Sequence, residues 1–327
     1  MDVQTLLEYK RAGLGEVRKR GSVCFVNGTS LLHLCGTNGP VYARSTAKPL
    51  HLKVFAKDLD AVLTWEEKAI SVSSHSAETA HIHILQKFLS PTEWESMQVP
   101  PSFPMGGRRE HKEQEKIFHP CSGEHSGLIR GCILKKWDLH NYTSPRHPFH
   151  EGFVAYIRSV LGPSWHAEYV GKDGCGLPTT SFLMSELALL YANLAREKDG
   201  DWIWEAMTRN PEIVGGSERL DTAILKLGKG SLLAKEGADG LLGISVLSPE
   251  YSEGLGIVIK LEHGSDPQAM WFLARSILAS LGWELPLGPQ LFRQEAAVNP
   301  AIVPEFLRSK IQDLPTRDTR KALDDRF

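Results

Sequence analysis

The stretch Ser22-Val-Cys-Phe-Val-Asn-Gly-Thr-Ser-Leu-Leu-His-Leu-Cys35 decides the fold class. Both halves have the composition of β-strands, and Asn27-Gly28 between them is a strong hairpin signal. Two further strand candidates, Leu242–Leu247 and Gly256–Leu261, come late in the chain, after several helical segments. This order lacks the regular βαβ alternation of a doubly wound parallel sheet. It predicts an α+β fold in which an antiparallel sheet, made of N- and C-terminal strands, is flanked by helices.

Between these strands the pattern is mostly helical. Helices are predicted from Ser45 to about Asp58 and over Thr79–Leu89, and a third is predicted to open at Pro178 and run through Arg196. Ala69–Ser73 has the composition of a short strand. No repeat divides the chain, so we expect one domain over residues 1–327, with a variable loop at 91–120 and a peripheral tail at 308–327.

The composition excludes several classes of function. The 327 residues are 42% apolar and 23% charged, with a net charge of −2. No basic field is present that would attract nucleic acid or an anionic membrane. The sequence shows no signal peptide and no apolar stretch of about 20 residues, the length that a membrane helix needs. The five cysteines form no Cys-x-x-Cys pair, which favours a reducing, cytoplasmic location.

The tetrapeptide Ser45-Thr-Ala-Lys48 is the first candidate for chemistry. Residues three apart share a helix face, so this hydroxyl and amine can meet. Burial beside another cation would lower the pKa of the lysine enough to accept the serine proton. Ser-x-x-Lys is the nucleophile motif of serine β-lactamases. The alternative is a helix cap followed by a solvated lysine.

Ser74 and Lys260 are further candidates. Ser74 lies in Ser73-Ser-His-Ser76, between two regular elements, where it could serve as a second hydroxyl or as a polar cap. Lys260 interrupts the apolar strand Gly256-Ile-Val-Ile-Lys-Leu261. A buried ammonium needs a partner or a shifted pKa, although an edge-strand lysine could simply face water.

A metal site is suggested by two cysteine segments, Cys121-Ser-Gly-Glu-His125 and Asp173-Gly-Cys175-Gly. Thiolates, imidazoles and carboxylates are the ligands that zinc prefers. Because the two segments are distant in sequence, any such site would be assembled by the fold. The alternative is that both cysteines are small buried residues.

Five motifs in order resemble the thermolabile, Rhizobium-etli-type L-asparaginase II family. They are Arg44–Pro49, Ser74–Glu78, Cys121–His125, Asp173–Thr179 and the late glycine-flanked strands. The resemblance covers the chain from Gly21 to about Leu281. It implies a fold similar to serine β-lactamases and glutaminases, and a homodimer.

Carried over residue by residue, the resemblance implies roles for eleven positions. Ser45 pairs with Lys48, and Ser74 pairs with Lys260. The substrate pocket contains Arg44, His125, Asp173 and Gly174. Cys121 and Cys175 bind Zn²⁺ together with position 124, where Glu124 replaces the lysine that is usual in the family.

These roles predict an amidohydrolase that cleaves the side-chain carboxamide of L-asparagine. A serine would attack the carboxamide, and a neutral Lys48 would accept the proton. Two alternatives stay open, and the Glu124 departure favours both. One is a same-fold amidohydrolase with another small-molecule amide substrate. The other is a catalytically silent, zinc-stabilised binding protein.

Overall fold

The computed structural model describes residues 3–104, 113–288 and 295–310. Within them, seven strands form one antiparallel sheet in the order β10-β1-β2-β9-β8-β7, with β3 also pairing with β2, and three form a small antiparallel sheet in the order β4-β6-β5. The bounds are β1 Gln4–Arg11, β2 Leu14–Asn27, β3 Ser30–Cys35, β4 Pro40–Tyr42, β5 Val170–Lys172, β6 Pro178–Leu183, β7 Leu232–Gly237, β8 Leu241–Val246, β9 Leu255–Leu261 and β10 Glu295–Val298. The predicted α+β fold with an antiparallel sheet is confirmed.

Helices make up most of the remaining chain. In the described residues they are α1 Lys48–His51, α2 Ala56–Asp60, α3 Trp65–Ser71, α4 Thr79–Phe88, α5 Pro91–Glu95, α6 Ser122–Lys135, α7 Pro148–Leu161, α8 Met184–Arg196, α9 Ile203–Arg209, α10 Pro211–Val214, α11 Leu220–Gly228 and α12 Pro267–Ser280. Short 3₁₀ turns precede α1 and α2. The helix predicted from Ser45 is therefore a chain of short helical turns.

The large sheet is buried on both faces. Along β2, Val23 and Phe25 belong to one hydrophobic cluster, whereas Cys24 and Val26 belong to another. Successive side chains of a strand point to opposite faces, so each cluster occupies one face. We call them the first core cluster, which contains Cys24, and the second core cluster, which contains Val23.

Helix α8 packs closely on the first face because glycines in the sheet make room for it. A Cβ atom at Gly243 would lie 2.1 Å from the Tyr191 ring, and one at Gly256 would lie 1.8 Å from the carbonyl oxygen of Ala188. The fully buried Tyr191 donates its hydroxyl proton to the backbone oxygen of Thr46 at 2.9 Å. The glycines thus fix the helix, and the helix in turn holds the turn that carries Ser45.

Two local predictions were wrong. Ala69–Ser71 lies in helix α3, whose capping box between Thr64 and Glu67 starts the helix early. Pro178 begins strand β6 and pairs with Lys172, a position at which proline is tolerated because it is the first residue of the strand. Helix α8 starts only at Met184.

The predicted variable loop is only partly irregular. Helix α5 lies inside it, and Ser102 and Glu115 form an isolated antiparallel bridge. A 3₁₀ turn follows at Lys116–Phe118. Residues 105–112, and the predicted tail from position 311 onwards, lie outside the described residues.

Candidate active site and metal centre

Ser45 lies in a tight turn that two hydrogen bonds from its backbone fix in place. Strand β4 ends at Tyr42, and the 3₁₀ turn Arg44–Ala47 follows directly. The backbone N–H of Arg44 donates to Thr179 Oγ1 at 3.2 Å, and that of Ala43 donates to the Thr180 oxygen at 3.0 Å. Arg44 has a positive φ of 47°, a strained conformation for a residue with a side chain. The strain presents Ser45 at the start of the turn.

Ser74 lies in the segment that follows helix α3. Its backbone N–H donates to the Val214 oxygen at 2.9 Å, and Arg219 donates to its carbonyl oxygen at 3.5 Å. The side chain is buried, and its Oγ atom has no hydrogen-bond partner among the described residues. Leaving a buried hydroxyl unpaired is costly in a folded protein, so this hydroxyl is available for a substrate or a proton relay.

Both serines line one cleft of about 450 Å³. Arg44, Asp173 and Gly174 also line it. Arg44 Nε donates to Asp173 Oδ1 at 2.8 Å, and its Nη1 atom donates to Asp239 Oδ2. The fold therefore brings together Ser45, Ser74 and three of the four residues predicted for the substrate pocket.

The fourth, His125, is fully buried on helix α6 and does not line the cleft. The Tyr142 hydroxyl accepts a hydrogen bond from the N–H of Gln98 and lies 2.6 Å from His125 Nδ1. The Tyr142 hydroxyl can thus donate its proton to Nδ1 of His125. The imidazole then carries its own proton on Nε2, which has no partner among the described residues. Burial lowers the pKa of His125 to about 3.

Three predicted metal ligands meet at one edge of the cleft. The ligand atoms of Cys121, Glu124 and Cys175 all lie within 4.8 Å of one another, and all three residues are buried. His51 Nδ1 donates to Glu124 Oε1 at 2.7 Å, which is the kind of contact that orients a metal-binding carboxylate. Two thiols and one carboxylate in a buried group are a suitable donor set for Zn²⁺, so the residues fit the predicted ion.

Lys48 lies against this group. Its Nζ atom donates to the Ser73 oxygen at 2.5 Å and lies 3.5 Å from Glu124 Oε2. Burial by itself lowers the pKa of Lys48, but the negative charges of Cys121 and Glu124 outweigh it, so the pKa lies above its ordinary value. Lys48 is therefore a cation in this arrangement, which differs from the neutral amine that the sequence predicts.

Cys121 and Cys175 differ in their protonation. The hydrogen bond from the Cys175 thiol, aided by the Lys48 charge, holds the pKa of Cys121 well below its usual range despite burial. The same hydrogen bond and burial raise the pKa of Cys175. One thiolate is thus present before any metal binds, and a thiolate is the form that coordinates zinc.

Lys260 is not among the residues that line the cleft. It is half-buried on β9, and its Nζ atom donates at 2.6 Å to the backbone oxygens of Asp239 and Leu261. Asp239 in turn contacts Arg44. Lys260 therefore supports the turn behind Arg44, and the structure does not bring it into the cleft with Ser74.

Lys235 is the buried lysine that the sequence analysis missed. It lies on β7 and is fully buried, and its Nζ atom is 3.1 Å from Asp221 Oδ2. By strand alternation it shares a sheet face with Leu233, which belongs to the first core cluster together with Ala47. Burial, opposed by Asp221, lowers the pKa of Lys235. The missed signal was Lys235-Glu-Gly237, which fits the lysine–glycine spacing of Lys-Thr-Gly better than Lys260-Leu-Glu does.

Other cleft residues carried no motif. Arg219 Nε donates to Glu236 Oε2 at 2.8 Å, and both residues line the cleft together with His119 and Trp271. Nothing in the local sequence distinguishes such residues from ordinary surface or core positions, because only the fold brings them together.

Comparison with family models gives a match over most of the chain. No curated protein matches the chain significantly. The described residues contain no helix with the length and apolar character needed to cross a bilayer. The family model for L-asparaginase II matches residues 7–301, a range that includes both serines and all three metal-ligand candidates. The chain is therefore a member of the L-asparaginase II family.

Proposed function

We propose that the protein hydrolyses the side-chain carboxamide of L-asparagine to L-aspartate and ammonia. Family membership supports this class of activity. The observation that carries the proposal is that Ser45 and Ser74 line the same cleft. Arg44, held by Asp173 at 2.8 Å, contributes a polar wall to the same cleft.

We assign the nucleophile to Ser45 and a relay role to Ser74. Ser45 is half-buried and follows a strained residue, whereas Ser74 is buried with an unpaired hydroxyl among the described residues. Ser45 Oγ forms a bond to the carboxamide carbon, and its proton passes through Ser74 to the amine of Lys235, which first gives one of its own protons to the Asp221 carboxylate 3.1 Å away. The backbone N–H of Ser45 would hold the oxyanion, because the N–H groups of Ala43, Arg44 and Thr46 already donate to other groups.

Two bond changes complete the reaction. The carbon–nitrogen bond breaks when the amide nitrogen takes up a proton, and ammonia leaves. Water then attacks the acyl ester on Ser45, releases the carboxylate product and returns a proton to the serine. Lys235 replaces Lys260 as the amine of the second pair, because Lys235 is fully buried on the sheet face that the Ser45 turn contacts.

We further propose that Cys121, Glu124 and Cys175 bind Zn²⁺. When bound, the ion would act as a Lewis acid and fix the position of the substrate beside the serines. His51 orients Glu124 through the 2.7 Å contact. Lys48, 3.5 Å from Glu124, offsets part of the negative charge of the ligand group.

Ammonia release from L-asparagine by purified variants tests the proposal. Ser45→Ala should abolish turnover, and Ser74→Ala should lower kcat by about a hundredfold or more, the usual size of a lost proton-transfer group. Ser265→Ala is a matched control, because Ser265 lines the same cleft but has no proposed role in the chemistry. Full turnover in Ser45→Ala would refute the mechanism. Zinc and amide binding without turnover by the wild type would instead favour a silent binding protein.

We also propose the cellular location and the oligomeric state of the protein. All five cysteines are free thiols, which supports a reducing, cytoplasmic location. The exposed apolar residues Tyr42, Tyr169 and Val170 lie on or next to the small sheet and would suit a homodimer contact. Analytical ultracentrifugation of the wild type and of Val170→Glu tests the dimer, which the substitution should dissociate.

A further inference from the structure

We propose that the cleft prefers asparagine derivatives whose α-carboxyl group is joined to an apolar substituent over free L-asparagine. The inference rests on the proposed function, since the same serines would cleave the side-chain carboxamide of these compounds. Two independent observations carry it. One is the apolar part of the cleft lining, which we call the apolar wall, and the other is the balance of charge around the cleft.

The apolar wall consists of Leu220, Ala238, Pro267 and Trp271. Leu220 opens helix α11, Pro267 and Trp271 lie on α12, and Ala238 follows strand β7. Leu220 and Trp271 belong to the second core cluster, whereas Cys121 and Cys175 on the other wall belong to the first. The cleft thus borders both clusters, with Cys121 and Cys175 in the first and Leu220 and Trp271 in the second.

The size of the cleft exceeds what free asparagine needs. Its 450 Å³ falls within the range of about 300–1,000 Å³ that is typical of pockets for drug-sized ligands. Free asparagine carries charged or polar groups on almost every carbon and has no apolar surface to place against Trp271. An apolar group attached to asparagine would remove its own surface and that of the wall from water, which is favourable.

The charges around the cleft disfavour a free α-carboxylate. The lining contains two arginines, Arg44 and Arg219, and three acidic residues, Asp173, Glu218 and Glu236. Both arginines are already paired, Arg44 with Asp173 and Arg219 with Glu236. Glu218 is exposed and has no ion-pair partner within the described part of the chain. A substrate that keeps its ammonium group but has a capped α-carboxyl group matches this balance.

Three compounds separate the two effects. L-asparagine methylamide removes the carboxylate charge alone, and L-asparagine benzylamide adds an apolar ring. L-asparagine compared with the methylamide gives the effect of the charge, and the methylamide compared with the benzylamide gives the effect of the apolar ring. We expect kcat/KM to rise about fivefold from L-asparagine to the methylamide and about tenfold more to the benzylamide, the scale of a modest apolar contact in a pocket. Mass spectrometry of the aspartyl product and an ammonia assay report the hydrolysis.

Ala238→Phe tests where the ring binds. Ala238 is exposed, so a larger side chain can fill the apolar wall without entering the core. We expect the variant to lose about tenfold in kcat/KM for the benzylamide and to stay within about twofold of the wild type for the methylamide. Ala80→Phe is the matched control. Ala80 is exposed on helix α4 and does not line the cleft, so this variant should keep the wild-type preference.

Calorimetric binding of the same compounds separates this inference from the proposed function. If no compound is hydrolysed but the benzylamide binds about tenfold tighter than the methylamide, and Ala238→Phe removes the difference, the subsite stands and the proposed function fails. Hydrolysis of asparagine with no gain for the benzylamide would overturn the inference and leave the function intact. A higher kcat/KM for free asparagine than for the methylamide would overturn the charge argument. An equal loss for both amides in Ala238→Phe would overturn the placement of the ring.

Discussion

The ion pair between Asp221 and Lys235 offers the sharpest test of the site. Their Oδ2 and Nζ atoms are 3.1 Å apart, and both side chains are fully buried. Removing one partner of such a pair leaves an uncompensated buried charge, which costs about 3–5 kcal/mol. We therefore expect Asp221→Asn and Lys235→Met each to lower the free energy of unfolding by about that amount.

The double variant Asp221→Asn/Lys235→Met separates folding from chemistry. It removes both charges and leaves the neighbouring pair of Arg219 and Glu236, 2.8 Å apart, in place. The double variant should therefore be less destabilised than the sum of the single variants by about 2–3 kcal/mol. Urea unfolding gives these free energies. Turnover should stay at least about a hundredfold below the wild type, because the proton acceptor is absent.

Lys260→Met is the matched control. Lys260 is half-buried, and in the described part of the chain its amine donates to two backbone oxygens. Its loss should therefore cost about 1 kcal/mol and change turnover by less than about fivefold. The reasoning would be refuted if the double variant regained turnover along with stability, since Lys235 would then act through folding alone. Strictly additive free energies would refute the proposed coupling of the pair.

Three further predictions concern the metal group and pH. Glu124→Gln and Cys175→Ser should each lose most of the zinc that the wild type retains after dialysis. The control Cys132→Ser changes a buried cysteine outside the group and should keep the zinc. Equal zinc contents in all these proteins would contradict the ligand assignment. His51→Ala should weaken zinc binding by about 10–100-fold, measured by competition with a chelator, and an unchanged affinity would show that the 2.7 Å contact to Glu124 does not orient the ligand. Burial, with a smaller effect of His51, lowers the pKa of His150 to about 4. In the unfolded chain histidine takes up its proton near pH 6.5. The contribution of His150 to the free energy of unfolding is therefore present above about pH 6.5 and is lost as the pH falls towards 4. After allowance for solvent screening the loss is about 2 kcal/mol. Urea unfolding at about pH 7 and about pH 5 should show a larger loss in the wild type and in the surface control His140→Phe than in His150→Phe, because His125, whose pKa burial also lowers, contributes the same loss to all three.

The sequence predicts the strands whose signals are local. The hairpin at Asn27-Gly28 and the apolar strands β8 and β9 are confirmed within a residue or two. Strand β7 was missed because Lys235 and Glu236 interrupt its apolar run, and their burial depends on partners from helix α11 and its N-terminal flank. The strand at Ala69–Ser73 was wrong because its apolar residues face the core from a capped helix. Tertiary contacts decide both cases.

The residues of the candidate site differ in the same way, because some are predicted by local sequence and others only by the fold. Ser45, Ser74 and the residues of the Cys121 and Cys175 segments could be found because each lies in a short motif, and the fold brings them together as expected. The choice between Lys235 and Lys260 could not be made from local pattern alone. Both lie on strands, and the register places them on the same face of the sheet. Only the packing of the fold leaves Lys260 half-buried and Lys235 fully buried.

The residues that line the cleft come from both core clusters. Some of them can therefore be substituted to change substrate selectivity while the others are kept. Substitution libraries at Ala238 and Glu218, which are both exposed, would vary the amides that are accepted. They would leave both serines and the cysteine–glutamate group unchanged. Such libraries should therefore change the substrate selectivity and keep the serines and metal-ligand candidates that the reaction needs.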